Sequence, residues 1–378
     1  MRGLIVWGGA DMLSVSQKRD SGFDFYKGLL ILGVVLGHAA TALKADSSVS
    51  APIVLFLRTY DMPFFAFISG YFLRSSCQKR GMWENLCNKC TSILLPVLVW
   101  SAAYSLILRN PLTTIRFWFL WSVFGCSVFL ILADGVTKKC RWLRPVIFAG
   151  VLVLFHLNIV PLSEEVFYGF LFFPMVVGYY YPQIRDFFRR NGRAAYWKAL
   201  AVAAYIVLFC FWDGSCSIWK IGCTVLHRSA PLMIALRMVY RAAIGVLGCF
   251  VVKMLADAVY ARWTTPGPSG KVPFERVRIL VESFGRKTME IYILQAMLVE
   301  TLGAKAVKVV VGRLGCNPFA LNGNWLGLVA APVVAFVSVF VCYEIQKLLC
   351  RIPVIGHFLF GGTVSGWKTA LAAQKKRV

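Results

Sequence analysis

The chain has 378 residues, of which 58% are hydrophobic and 15% are charged, and its mean hydropathy is +0.67. Its apolar residues form successive blocks about 20 residues long, a pattern that excludes soluble α/β and all-β folds. The 41 Lys and Arg residues against 17 Asp and Glu residues give a net charge of +24. Because no nucleic-acid motif accompanies this charge, we exclude nucleic acid as a partner and assign the charge to the cytoplasmic loops of a membrane protein.

Ten apolar segments are candidates for crossing a bilayer core of about 30 Å, and the seventh of them is short. They are residues 25–44, 51–73, 91–108, 117–135, 145–160, 165–181, 199–212, 230–256, 288–304 and 325–346. With both termini in the cytoplasm, the inner segments hold 28 Lys and Arg residues and the outer segments hold 8. This asymmetry favours alternating spans with cytoplasmic ends. The sequence therefore predicts an all-α, polytopic membrane helix bundle of about ten transmembrane helices.

The sequence shows no repeat, low-complexity tract or separate soluble domain. We therefore divide it into a cytoplasmic N-terminal segment (1–24), a transmembrane domain (25–346) and a basic cytoplasmic tail (347–378). Any chemistry must then lie in the bundle or in its short loops.

The 12 Cys residues are scattered through apolar blocks and loops alike. Cys87 and Cys90 form a C-x2-C pair with neither a second pair nor a nearby His, so we predict no metal site. Cys216 and Cys223 could pair if they lie outside the cytoplasm, which the sequence leaves open.

The first span contains three polar residues of interest: Asp24, Lys27 and His38. Eleven residues at about 100° each place Lys27 and His38 within about 20° on one helical face, roughly 16 Å apart along the axis. Asp24 can neutralise Lys27 at the cytoplasmic rim. An ionisable group deep in a span is costly, so His38 is a functional candidate; the alternative is a neutral His bonded to a neighbouring helix.

The second span contains Met62 and Pro63, which we expect to break the helical register, and then Ser69, Gly70 and Tyr71. A break frees backbone groups that protein or a cavity must satisfy. The Ser-Gly-Tyr run is equally typical of helix packing through small residues.

Two later spans also carry polar groups. Arg237 and Arg241 share a face of the eighth span, where they either line an anion path or pair with acids elsewhere. The ninth span carries Glu290, Gln295 and Glu300, which weaken it as a span.

The segment DFYKGLLILGVVLGH resembles the D-x2-[RK]-G and [RK]-x10-H motifs of the membrane-bound acyltransferase 3 family, multi-pass O-acyltransferases of bacterial envelopes. The matching residues are Asp24, Lys27, Gly28 and His38. DMPFFAFISGYF, KCTSILLP, FWFLWS and FGRKTMEIYILQ resemble further family segments in the same order, so the resemblance runs from about residue 23 to 346.

The chain departs from the family pattern at four positions. Asp61 and Gln295 stand where relatives commonly have His, Thr288 where Ser is common, and Lys89 where Arg is usual. His38 is therefore the only imidazole in these motifs.

The resemblance implies transfer of an acyl group, usually acetyl from cytoplasmic acetyl-CoA, to a hydroxyl of an envelope polysaccharide, oligosaccharide or glycolipid at a bacterial inner membrane. His38 would be the general base or a transient acyl carrier, and Asp61 would orient it or accept a proton. Asp24 would support Lys27, which with Lys89 would bind the CoA phosphates.

Ser69 and Tyr71 are candidates for stabilising the oxyanion, and Arg241 for contacting substrate or oxyanion. The alternative function is a transporter or flippase for a lipid-linked sugar, which also needs a polar path. That alternative predicts inverted repeats, and none is visible in the sequence. The acceptor, the acyl chain length and the oligomeric state stay open.

Overall fold

The structure is a computed structural model that describes residues 21–43, 51–109, 117–138, 140, 142–156, 169–212, 231–266, 271–315 and 325–375. Cys216 and Cys223 lie outside these residues, as does the side chain of Arg237.

Every regular element in the described ranges is a helix, which confirms the all-α class. The helices are α1 (Ser21–Ala42), α2 (Ala51–Lys79), α3 (Met82–Lys89), α4 (Leu95–Leu108), α5 (Trp118–Val136), α6 (Leu143–His156), α7 (Gly169–Arg190), α8 (Ala194–Cys210), α9 (Pro231–Arg262), α10 (Glu275–Arg286), α11 (Thr288–Gln295), α12 (Ala304–Leu314), α13 (Trp325–Leu349), α14 (Pro353–Phe360) and α15 (Val364–Lys375). Two π-helical segments, Cys90–Leu94 and Ala296–Gly303, join α3 to α4 and α11 to α12.

Each of the ten predicted spans overlaps helical residues in the described part of the chain. Within the described part of the chain, six helical stretches are long and apolar enough to cross a membrane: Ser21–Ala42, Ile53–Lys79, Met82–Leu108, Trp118–Val136, Val239–Arg262 and Val329–Leu349. The chain is therefore a polytopic membrane bundle. The count of ten and the cytoplasmic position of both termini stay predictions.

Helix α13 divides its side chains between the core and the outside of the bundle. The residues exposed on one face are Val329, Val333, Phe336, Val337 and Phe340, and those buried on the other are Ala331, Ala335, Val339 and Cys342. The buried face packs against α1 and α11. A row of exposed Val and Phe at helical spacing is suited to contact with lipid chains rather than water.

Two glycines bring α1 and α10 into backbone contact. A Cβ at Gly28 would lie 2.0 Å from the carbonyl oxygen of Val281, and one at Gly285 would lie 1.6 Å from that of Asp24. Any larger residue would force the helices apart. This crossing fixes the start of α1, which carries Asp24, against α10.

Helices α2 and α7 meet in the same way. A Cβ at Gly70 would lie 1.9 Å from the carbonyl oxygen of Met175, and one at Gly178 would lie 1.9 Å from that of Phe67. Of the two interpretations of the Ser-Gly-Tyr run, packing through a small residue therefore accounts for Gly70.

The predicted break at Met62 and Pro63 is wrong, because α2 continues as one helix through both residues. The carboxylate of Asp61 accepts the backbone N–H of Met62 at 2.6 Å. The Pro63 ring packs against Gly245 of α9, where even a Cβ would come within 3.2 Å of the ring. The neighbouring helix thus accommodates the proline, as is common inside membranes.

Candidate functional site

His38 lies about one turn before the end of α1 and faces a carboxylate from a distant part of the chain. Its Nδ1 atom is 3.4 Å from Oε1 of Glu300, and the two side chains are 33% and 43% exposed. The structure thus gives the imidazole a specific acidic partner within the bundle. A neighbouring carboxylate can fix which ring nitrogen carries the proton.

Glu300 is presented by the π-helical segment Ala296–Gly303. In this wider helix, residues five apart lie nearly above one another, so the amide of Gln295 can donate to Oε1 of Glu300 at 3.0 Å. Gln295 is fully buried, and its amide oxygen has no hydrogen-bond donor among the described residues. π-Helical turns occur frequently at functional sites. The segment and the residue before it place the carboxylate of Glu300 and the amide oxygen of Gln295 near His38.

Asp61 on α2 completes the charged surroundings of His38. The charges of His38, Arg58 and Arg241 all lie close enough to act on its carboxylate. Two acids, Asp61 and Glu300, therefore lie near the imidazole, and Glu300 is the one with a described contact to it.

Arg241 on α9 is buried, with its guanidinium carbon 4.6 Å from the ring centre of Trp212. Tyr292 on α11 is also buried, and its hydroxyl lies close enough to the carboxylates of Asp61 and Glu300 for their charges to act on it. We call His38, Asp61, Arg241, Gln295 and Glu300 the His38 cluster.

A second group of charges surrounds the start of α1. Lys27 forms an ion pair with Asp24 at 2.8 Å, and its charge also acts on Glu290. Lys287 lies 3.4 Å from Glu290. We call these four residues the Lys27 cluster. Lys27 meets α11 and His38 meets the π-helical segment that follows it, which agrees with their predicted position on one face of α1.

Lys89 lies at the end of α3, just before the π-helical segment Cys90–Leu94, and its charge interacts with Cys77 of α2. Lys27, by contrast, pairs with Asp24 and lies within reach of the charge of Glu290. The two lysines predicted to bind CoA phosphates thus belong to different groups.

Ser69 and Tyr71 lie toward the Asp24 end of the bundle. The Tyr71 ring stacks on Phe23 with centres 4.4 Å apart, and Ser69 is half-buried. Along α2, Asp61 is about 12 Å from Ser69 and about 15 Å from Tyr71. The structure therefore does not bring these two hydroxyls to the His38 cluster.

Comparison with known proteins identifies the family of the chain. A family model described as an acyltransferase domain matches residues 20–345. The chain belongs to the acyltransferase 3 family. The matched region contains both the Lys27 and the His38 clusters, so the family resemblance extends over all of the geometry described above.

Two relatives are named nodulation protein NolL. The protein from Sinorhizobium fredii is 27% identical over 184 residues, which is 42% of this chain and 50% of that protein. The protein from Mesorhizobium japonicum is 25% identical over 183 residues, 42% of this chain and 48% of that protein. The chain thus spans about half the length of these curated relatives. No solved structure matches the chain.

Sequence reasoning did not identify Glu300 as a site residue. In the sequence, this glutamate is only a polar residue that makes the ninth segment a poorer candidate for crossing the membrane. The available signal was an uncompensated acid in an apolar stretch, the same kind of signal that selected His38.

Proposed function

We propose that the protein is an O-acyltransferase of the bacterial inner membrane. It transfers acetyl from cytoplasmic acetyl-CoA to a hydroxyl of an envelope polysaccharide, oligosaccharide or glycolipid. The observation that carries this proposal is the pairing of His38 with Glu300 inside an acyltransferase-family bundle.

His38 acts as the general base. With Glu300 accepting a hydrogen bond from Nδ1–H, the lone pair of Nε2 is free to take a proton. The acceptor oxygen attacks the thioester carbonyl carbon while its proton passes to Nε2. The tetrahedral intermediate then collapses, the carbon–sulfur bond breaks, and the CoA sulfur takes the proton from the imidazolium. Glu300 favours the positive charge that His38 carries in between.

A second route uses the same nitrogen as an acyl carrier. If donor and acceptor stay on opposite sides of the membrane, Nε2 attacks the thioester and CoA leaves as a thiolate. The acceptor oxygen then attacks the acyl carbon, the bond from that carbon to Nε2 breaks, and the hydroxyl proton passes to Asp61, which restores the neutral His38. Glu300 supports this route in the same manner, because the acylated ring is also a cation.

The other members of the His38 cluster supply charge and hydrogen bonds. We assign stabilisation of the oxyanion to Arg241, a buried cation of α9 whose charge also acts on Asp61. Asp61 orients the imidazole or accepts a proton from it. The amide oxygen of Gln295 accepts a hydrogen bond from the acceptor sugar, since it has no donor among the described residues.

The donor phosphates bind at the inner face. Lys27 contributes a charge held in place by Asp24. We assign a second contact, with a separate part of the donor, to Lys89 on α3. Ser69 and Tyr71, which lie toward the Asp24 end, contact the donor rather than the oxyanion.

The test supplies labelled acetyl-CoA to inverted membrane vesicles that contain the protein and identifies the labelled product. The proposal predicts base-labile acetate on an envelope sugar or lipid, absent from vesicles without the protein. A transporter or flippase would give no acylated product, and that result would overturn the proposal. Acetyl on His38 in the absence of acceptor would select the acyl-carrier route.

A further inference from the structure

A cavity of about 720 Å³ lies at the inner end of α2, between α2, α5, α6 and α7. Five of its lining residues are cations and one is an acid. The cations are Arg74, Lys79, Arg80, Lys138 and Arg144, and the acid is Asp134. We call this the basic cavity. Its excess of positive charge in a concave site is suited to an anion with more than one negative charge.

Two guanidinium groups are held in place by the walls of the cavity. Arg144 forms an ion pair with Asp134 at 3.0 Å and donates to the Thr137 hydroxyl at 3.0 Å. Tyr179 donates to the same Asp134. Arg74 donates to the backbone carbonyl of Tyr179 at 3.2 Å. Guanidinium groups that are already positioned lose little freedom on binding, and they suit phosphate oxygens well.

The basic cavity lies at the expected depth of the lipid headgroups. Four of its lining residues each stand one residue from a boundary of a predicted span: Arg74, Asp134, Arg144 and Tyr180. All four boundaries are inner ones in the predicted topology. The structure brings them together from separate parts of the chain, so the cavity opens where the bilayer core gives way to phosphates.

The cavity is flanked by exposed apolar side chains. Val136 is 74% exposed at the end of α5, and Trp142 and Val146 are 71% and 59% exposed around the start of α6. An exposed Trp next to basic residues is typical of the membrane interface. A ligand with a charged head and apolar chains would satisfy both surfaces.

The basic cavity is separate from the His38 cluster. Arg74 follows Asp61 by thirteen residues, which at about 100° each places the two on nearly opposite faces of α2, about 20 Å apart along its axis. Asp61 faces the cations of α1 and α9, whereas Arg74 faces α7. The lining of the cavity therefore includes no member of the His38 cluster.

We propose that the basic cavity binds the phosphate headgroup of an anionic phospholipid from the inner leaflet. The phosphates contact Arg74, Arg144 and Lys138, and the acyl chains lie along the exposed faces of α5 and α6. The volume is within the range of about 300–1,000 Å³ found for small-ligand sites, and basic pockets between membrane helices on the cytoplasmic side suit such headgroups.

The test is native mass spectrometry of the purified protein in detergent, titrated with diphosphatidylglycerol or with zwitterionic phosphatidylethanolamine. The proposal predicts selective binding of diphosphatidylglycerol, weakened about tenfold or more by the double variant R74Q/K138Q. The matched control is R189Q/R190Q, which removes two exposed inner-face cations of α7 outside the cavity and should change binding less than twofold.

If the double variant does not fold, the single variant K138Q is tested instead, because Lys138 is exposed and its loss leaves the packing intact. Binding of diphosphatidylglycerol that is weakened threefold or more in K138Q supports the proposal. Unchanged binding in the cavity variant overturns it, and so does equal loss in the control. Competition by coenzyme A, at a concentration that displaces the lipid, would assign the cavity to a nucleotide and also overturn the proposal.

Discussion

Replacing Glu300 with Gln keeps the size of the side chain and removes the charge that faces His38. Both proposed routes require a neutral imidazole at the start and turn it into a cation during the reaction. The carboxylate therefore stabilises the transition state more than the ground state, and its loss should lower kcat while KM for acetyl-CoA changes little.

The distance between the two groups sets the size of the effect. Unit charges 3.4 Å apart interact by about 5 kcal/mol at an effective dielectric constant of about 20, and by about 1 kcal/mol in bulk water. Because the side chains are 33% and 43% exposed, we take the lower part of that range, about 1–2 kcal/mol. This corresponds to a fall in kcat of about 5- to 30-fold.

The assay measures the rate of label transfer from acetyl-CoA in inverted vesicles, normalised to folded protein. The matched control is E344Q, which removes an exposed glutamate paired with Lys347 on α13 and should leave kcat unchanged. If a folded E300Q protein keeps kcat within twofold of the original, Glu300 has no part in the reaction and the assigned role fails.

Three further variants test other parts of the structure. Lys27→Ala should raise KM for acetyl-CoA with little change in kcat, whereas Lys27→Arg should keep KM low; an unchanged KM in both would make Lys27 a rim residue only. Gly285→Ala should destabilise the bundle by about 2 kcal/mol or more, because its Cβ would lie 1.6 Å from a carbonyl oxygen. The control Gly150→Ala, with open space around it inside α6, should not lower the unfolding temperature. Gln295→Leu should raise KM for the acceptor and leave KM for acetyl-CoA unchanged; equal shifts in both would refute a contact with the acceptor.

The first helix could be predicted well because polar residues are rare in a span. Lys27 and His38 stand out against an apolar background, and their spacing of eleven residues depends only on regular helix geometry. The structure adds acids from more than 250 positions away: Glu300, in contact with His38, and Glu290, whose carboxylate lies within reach of the charge of Lys27. Helix neighbours at that separation are decided by packing, which a single sequence does not display.

The link between Gln295 and Glu300 could not be predicted from helical periodicity. In an α-helix, residues five apart point to different faces, whereas the π-helical segment Ala296–Gly303 brings them together. The expected break at Pro63 failed for a related reason, since Gly245 on another helix makes room for the ring.

The basic cavity could not be predicted from the sequence for a different reason. In the sequence, Arg74, Lys138 and Arg144 look like all the other basic residues of the inner loops, and they indicate only the topology. Only the convergence of helix ends from separate parts of the chain shows that these residues line one cavity.

The central claim is that His38 performs the acyl transfer, and the variant His38→Gln tests it most directly. His38 is partly exposed within the bundle, so the variant should insert into membranes and unfold at nearly the original temperature. Since a positioned general base contributes about 10²- to 10⁴-fold, transfer of label from acetyl-CoA to base-labile ester should fall by at least 100-fold. A folded variant that still forms labelled ester at the original rate would contradict the account.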